Sequence, residues 1–290
     1  MSSLPPRCRP GRLQIVETAA DSTTKFPDAL NRIFRRELDG IILRGLMSVD
    51  EMAAAGAALQ ESEAGFPGTL KETPDLSATQ VYVLGVPMTP SRTAGLEPDM
   101  PSYLAAVEPF TTACRALFPR EDGFLERSLA AFESLAGGRP VSVFCGPTGG
   151  LYTPATIRIV PPGCEIGTHS GLEFMTLDGY SELANGLDCS EQLSFFSLID
   201  SADDGGELLV YHTDYFDPDL TRDESAKALS DVIDEGSDYE VIALEPGDLL
   251  IFAGGRWFHR VTPVRGSRTR RSIGGFLGFS PDGGSVYYWS

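Results

Sequence analysis

The chain has 290 residues, 42% of them hydrophobic, and a formal net charge of -18. Such an acidic excess repels a polyanion over most of the surface, which excludes a nucleic-acid polymer as the expected partner but leaves room for a small anion in a locally basic pocket. No apolar run is long enough to span a bilayer, and the opening MSSLPPRCRPGRLQIVE lacks a secretory-type apolar stretch, so no membrane association and a cytoplasmic location are expected. The length suits one domain, 1–290, built as a β core with helical additions, and no obligatory protein partner is evident. Cys8, Cys114, Cys145, Cys164 and Cys189 are scattered without a CxxC pair and are expected to be free thiols.

In chain order, DGIILRGLM (39–47) is the first strand-like run. Ser48 and Glu51 then have the S-x-x-E spacing of a capping box, which predicts a helix running to about Glu63. Apolar residues recur at three and four in YLAAVEPFTTACRALF and FLERSLAAFESLAG, and Gly137-Gly138 stops the second of these helices. Residues up to about 140 thus read as mixed, mainly helical scaffold. From Val141 the texture changes to short apolar runs bounded by Gly, Pro and Asp. Strands are predicted at VSVF, ATIRIV, CEIGTH, QLSFFSLI, GELLVYH, YEVIAL, DLLIFAG, HRVTPV and RRSIGGFLGF, which suggests a double-stranded β-helix, a cupin-like jelly roll, over about 141–280. The acidic insertion DPDLTRDESAKALSDVIDEGSD is expected at the surface with a short helix inside it.

Three histidines are present, His169, His212 and His259. Neutral imidazole is a standard ligand for Fe(II), and a facial triad of two His and one carboxylate leaves adjacent positions open for cosubstrate and dioxygen. His-x-Asp or His-x-Glu on one strand face would supply two ligands, but in GTHSGLEF the residue two places after His169 is Gly171. Glu173 lies in the same strand phase, and extended geometry puts its Cα roughly 13 Å from that of His169, too far for both to reach one ion without a bulge. Downstream, EPGDLLIFAGGRWFHRVTPVRGSRTRRSIGGF carries a Gly-Asp turn, an apolar strand, His259 and then arginines. Arg270 and Ser272 share a face and can grip the distal carboxylate of a dicarboxylate keto acid, with Arg268 as the alternative anchor. Arg158 either adds a contact to the cosubstrate or pairs with an acid. His212 reads as an ordinary solvated or satisfied histidine.

GGEL followed by PGDLLIF, His259 and Arg270-x-Ser272 resembles the iron and 2-oxoglutarate dioxygenase superfamily, over about residues 150–280. More closely, YTPATIRIV, GTHSGLEF, EQLSFFSLI and GGELLVY resemble the standalone halogenases that act on free small molecules, first known for indole alkaloids of the hapalindole and welwitindolinone type. The resemblance implies iron(II) held by His169 and His259, with 2-oxoglutarate, chloride and dioxygen as the other components. It implies that Gly171 stands where hydroxylases carry Asp or Glu, leaving a position for chloride. Replacing one monoanion by another keeps the total charge of the site unchanged. By the same resemblance Ser194 orients the oxygen-derived ligand, and Gln80, Tyr82 and Ile166 face the substrate. Within the group the chain is similar to the halogenases of chlorinated purine nucleoside biosynthesis, an antibiotic-type pathway, which implies the 2′-carbon of deoxyadenosine monophosphate (dAMP), a nucleoside monophosphate, as substrate.

Three other readings compete. A hydroxylase of the same superfamily would complete its iron shell with Glu173 or water, and an indole alkaloid would need no cationic phosphate site. A jelly-roll binding protein without catalysis would have no chemical need for both histidines and the Arg-x-Ser pair.

Overall fold

The computed structural model describes residues 13–62, 66, 71–73, 81–85, 100–175, 180–217, 220 and 229–290. Strand β1 (Ile15–Ala19) pairs in parallel with β2 (Gly40–Arg44), and α1 (Ala29–Phe34) lies between them in the chain. Helix α2 (Val49–Ser62) starts at the expected capping box: the Ser48 N–H donates to Glu51 at 2.8 Å and the Glu51 N–H to the Ser48 hydroxyl at 3.2 Å. These bonds, joined by Arg127, hold the Glu51 carboxyl down at about 2. Short strands β3 (Lys71–Thr73) and β4 (Val81–Leu84) precede helices α3 (Met100–Leu117) and α4 (Phe124–Leu135). Gly137 and Gly138 end α4 with φ of 67° and 77°, a left-handed conformation that side chains beyond Cα disfavour.

The remaining elements alternate as the hydrophobic pattern requires. They are β5 (Val141–Val143), β6 (Thr156–Val160), β7 (Ile166–His169), α5 (Leu172–Met175), α6 (Ser181–Gly186), β8 (Leu193–Asp200), β9 (Asp204–Gly205), β10 (Leu208–Asp214) and α7 (Leu229–Gly236). The chain closes with β11 (Tyr239–Ile242), β12 (Leu249–Phe252), β13 (Trp257–Val261), β14 (Val264–Arg265), β15 (Arg270–Phe279) and β16 (Val286–Trp289). Among the described residues the large sheet runs β1-β2-β12-β8-β15-β6-β4-β3, extended by β16 and β5, and the small one runs β11-β10-β13-β7.

Strand alternation gives the large sheet two distinct faces. Phe195, Ile157, Ile159 and Ile273 share the outer one, where Phe132 of α4 packs edge-on against Phe195 with ring centroids 4.9 Å apart. Each such buried aromatic stabilises the fold by about 1.5–3 kcal/mol relative to exposure. Arg158, Ser194, Phe196, Phe252, Arg270 and Ser272 share the inner face, and Phe252 meets His259 of the small sheet at 5.1 Å. Helices, large sheet and small sheet therefore form layers, and the candidate site lies between the sheets. This is the expected jelly roll with helical elaboration. It draws more on the N-terminal part than the sequence pattern indicates, because β1, β2, β3 and β4 all join the large sheet. No helix among the described residues is long and apolar enough to cross a membrane. Cys114, Cys145, Cys164 and Cys189 are free.

Candidate metal centre

His169 and His259 lie directly opposite one another on β7 and β13, with ring centroids 4.3 Å apart. Each ring turns its Nδ1 to the carbonyl two residues earlier on its own strand: Gly167 at 2.8 Å for His169 and Trp257 at 2.9 Å for His259. With Nδ1–H donating to a carbonyl, Nε2 is the ring atom that carries the lone pair a metal would bind. Burial pushes His259 down to about 4, with the nearby Arg158 acting in the same direction and the Trp257 carbonyl opposing. The ring is therefore the neutral imidazole that ligation requires at neutral pH.

The chain leaves β7 immediately after His169. Gly171 N–H donates to the Gly254 carbonyl at 2.8 Å and Leu172 N–H to the Gly255 carbonyl at 3.0 Å, which folds the segment over the start of β13. The expectation of an extended strand through Glu173 is thereby corrected. Glu173 sits in the first turn of α5 and its carboxylate accepts the Ser170 N–H at 3.0 Å. Among the described residues no three His, Cys, Asp or Glu side chains converge as a metal-holding group, so neither Glu173 nor His212 joins the histidine pair. His212 instead meets Glu240 at 3.1 Å.

Beside Gly171 stands a residue that the motif reading missed, Gln192. A β-carbon at position 171 would lie 2.7 Å from Gln192 Oε1, and that oxygen is buried without a hydrogen-bond partner. Ser194, two residues on and in the same strand phase, has its hydroxyl where a β-carbon at Gly254 would be, 2.4 Å away. The phase relation to Ser194 is the signal in the sequence from which Gln192 could have been found. Two facing imidazoles, that of His259 held neutral by burial, next to a position without a side chain and a buried amide oxygen without a partner, fit an ion with two protein ligands whose remaining positions take exogenous ones.

Arg270 and Ser272 share the inner face of β15, with Arg270 Nη1 3.4 Å from the Ser272 hydroxyl and Nε donating to the Gly206 carbonyl at 2.9 Å. Arg158 of β6 lies directly opposite Ser272. Burial, reinforced by Arg158, lowers Arg270 to about 10, and burial also lowers Arg158. Among the described residues neither arginine forms an ion pair, so two like charges face each other without a protein anion between them. The rest of the basic turn is neutralised by the acidic turn before β10: Arg265 pairs with Asp204, Arg268 with Asp203 and Arg271 with Asp200. Arg268 is exposed and committed to Asp203, which removes it as the alternative anchor.

The pocket-wall expectations divide. Tyr82 pairs with Ile159 and Val83 with Arg158, so Tyr82 is corrected to the outer, helix-facing side of the large sheet; the register puts Val83 in phase with the inner face. Ile166 pairs with Val261, and a bulge in β7 between it and His169 lets both share the face of His259. Gln80 lies outside the described residues.

Behind the histidines, Asp234 of α7 accepts hydrogen bonds from Thr168, Tyr211 and Arg260, the first and last being chain neighbours of the two histidines. Arg260 also pairs with Glu165. At the entry to β13, Asp39 accepts from Arg256 at 2.6 Å and from the Trp257 indole at 3.0 Å, which holds the strand that presents His259.

The family model described as carrier-protein-independent halogenase WelO5 matches residues 13–290. The chain belongs to this halogenase family. Among solved structures it is similar to an N-substituted L-amino acid dioxygenase from Burkholderia ambifaria, at 15% identity over 90% of both chains with a TM-score of 0.56. The complex of such a dioxygenase with α-ketoglutarate aligns at 15% identity over 90% of both chains, with a TM-score of 0.50. These two likenesses show the fold. No curated protein matches the sequence. As a member of this family the chain is an iron(II)- and 2-oxoglutarate-dependent oxidoreductase.

Proposed function

We propose that this enzyme replaces hydrogen by chlorine at an unactivated carbon of a free small molecule. The observation that carries the reading is the histidine pair with Gly171 beside it, where no carboxylate among the described residues completes the set. His169 and His259 would hold iron(II) through Nε2, and chloride would take the position next to Gly171. Iron(II) with 2-oxoglutarate and dioxygen supplies the oxidising power for breaking the C–H bond, and the chloride supplies the new substituent.

The protein's residues then divide the work by position. Arg270 and Ser272 bind the distal carboxylate of 2-oxoglutarate, and Arg158 adds a second positive charge on the same face. The distal carboxylate there carries one negative charge, which offsets part of the repulsion between two buried guanidiniums. The Ser194 hydroxyl, against Gly254, offers a hydrogen bond to the oxygen-derived ligand. Ile166, on the face that His259 shares, forms an apolar wall that fixes where the substrate C–H points; whether chlorine or oxygen is delivered turns on that placement.

For the substrate we place a nucleoside monophosphate first, specifically the 2′-carbon of dAMP in nucleoside antibiotic biosynthesis, on the strength of the sequence resemblance. The family's description as independent of a carrier protein supports a free small molecule. Anaerobic loading with iron(II), 2-oxoglutarate, chloride and dAMP, followed by oxygen, is expected to give a product heavier by chlorine for hydrogen. Hydroxylation alone would refute the halogenase reading. Thermal-shift comparison of dAMP with indole alkaloids tests the substrate, and stabilisation by the alkaloids alone would move it to that class.

A further inference from the structure

Gln192 is 2% exposed, and its Oε1 has no hydrogen-bond partner. Leaving a buried carbonyl unpaired costs about 1–3 kcal/mol, so a protein retains one where something else occupies the vacancy or where the group serves a ligand. The amide end stands against Gly171: a β-carbon there would lie 2.7 Å from Oε1 and 3.2 Å from Cδ. Main-chain bonds set this approach. Gly255 N–H donates to the Gln192 carbonyl at 2.7 Å while Gly171 N–H donates to Gly254, so the glycine pair joins both segments. A β-carbon at Gly255 would strike the Gln192 carbonyl at 2.5 Å, which is why the backbone can come this close.

We propose that the Gln192 carboxamide binds the halide: turned through 180° about its last side-chain bond, it places Nε2 where Oε1 stands and donates an N–H to the anion beside Gly171. The inference rests on the halogenase reading above and names a residue for its anion site. Turning the amide breaks no hydrogen bond of Oε1. An N–H to an anion is charge-assisted and about twice as strong as a neutral pair, whereas the carbonyl in its present orientation would repel the same anion. A neutral donor also leaves the total charge of the site unchanged, which an arginine or lysine would not. The same amide fills the space a side chain at 171 would need, so it both receives the halide and opposes a protein carboxylate in its place.

The test is a halide titration of the whole protein loaded anaerobically with cobalt(II) and 2-oxoglutarate, followed by visible absorption, using bromide and chloride. Gln192→Leu keeps a branched side chain, one bond shorter and apolar, and removes the donor. It should weaken halide binding by about tenfold or more. Metal and 2-oxoglutarate affinities should stay within about twofold and the melting temperature should hold or rise, because an unpaired buried polar group has been replaced by an apolar one. Gln192→Glu puts a negative charge at the same place and should lose halide more deeply. Bromide anomalous scattering in crystals should place the ion within hydrogen-bond distance of the Gln192 amide. Equal halide affinity in wild type and Gln192→Leu overturns the inference; should that variant not fold, unchanged halide affinity in Gln192→Glu does so. If the wild type itself takes up no halide, the halogenase reading falls first and this inference with it.

Discussion

Asp234 to asparagine is the most informative single change away from the metal. The carboxylate collects donors from three strands, Thr168 of β7, Tyr211 of β10 and Arg260 of β13. A hydrogen bond to a charged group contributes about 1.5–3 kcal/mol, and asparagine keeps an acceptor for one of the neutral donors while losing the charge on which Arg260 and the short hydroxyl contacts depend. Arg260 retains Glu165, and Asp234 is about a quarter exposed, which discounts the ionic part. The expected loss is about 2–3 kcal/mol for Asp234→Asn and about 3–4 for Asp234→Ala. Urea unfolding of the metal-free protein measures it. Because Thr168 and Arg260 adjoin His169 and His259, the same variants should weaken metal binding by about 10- to 100-fold, the range for losing support behind a ligand. Cobalt(II) titration reads that directly. As a control, Arg265→Ala breaks an exposed pair with Asp204 and should cost under about 1 kcal/mol. Unchanged unfolding midpoints and metal affinity in Asp234→Asn would refute the argument that α7 braces the histidine strands.

Three further outcomes are expected. Gly171→Asp should abolish chlorination. Its β-carbon also meets Gln192 Oε1, so it should destabilise the fold by about 1–3 kcal/mol, an overpacking cost that Gln192→Ala in the same chain relieves; strict additivity of the two changes in melts would contradict the contact. Arg270→Ala should raise the dissociation constant for 2-oxoglutarate by about 30-fold or more, the effect of truncating one partner of a buried charged contact, whereas Arg268→Ala should change it by less than about twofold; equal effects in an anaerobic titration would reinstate Arg268 as an anchor. Glu191 is buried and its carboxyl is pushed up to about 7, with Arg256 3.5 Å away only partly opposing the burial. The native state thus keeps a proton that the unfolded chain gives up near 4.5, so this residue's contribution to stability declines as pH rises from about 4.5 to 7, by at most about 3 kcal/mol. Glu191→Gln should flatten that part of the stability–pH curve, and an unchanged slope would rule the residue out as its source.

Much of the local structure was legible in the sequence because it depends on neighbours in the chain. The Ser48–Glu51 capping box, the glycine stop at 137–138, the core strands and the shared phase of Arg270 and Ser272 all follow from spacing alone. What the local pattern misjudged were places where a contact from a distant segment decides. Glu173 shares the strand phase of His169 in the sequence, but Gly254 and Gly255 capture the N–H groups of Gly171 and Leu172 and turn the chain into α5. Tyr82 reads as a pocket wall, yet the face it occupies is set by the register of β4 on β6, and a shift of one residue would reverse it.

The sequence by itself therefore determined which residues could serve: two histidines at strand ends, a glycine where a carboxylate was expected, and arginines of suitable phase. Only the tertiary structure decided which of them serve together. It set His169 opposite His259, spent Arg265, Arg268 and Arg271 on the acids of the facing turn while leaving Arg270 with Arg158, and brought Gln192 against Gly171. The physical reason is that side-chain phase is a property of one strand, whereas register, bulges and the close approach of glycine backbones belong to pairs of strands far apart in the chain.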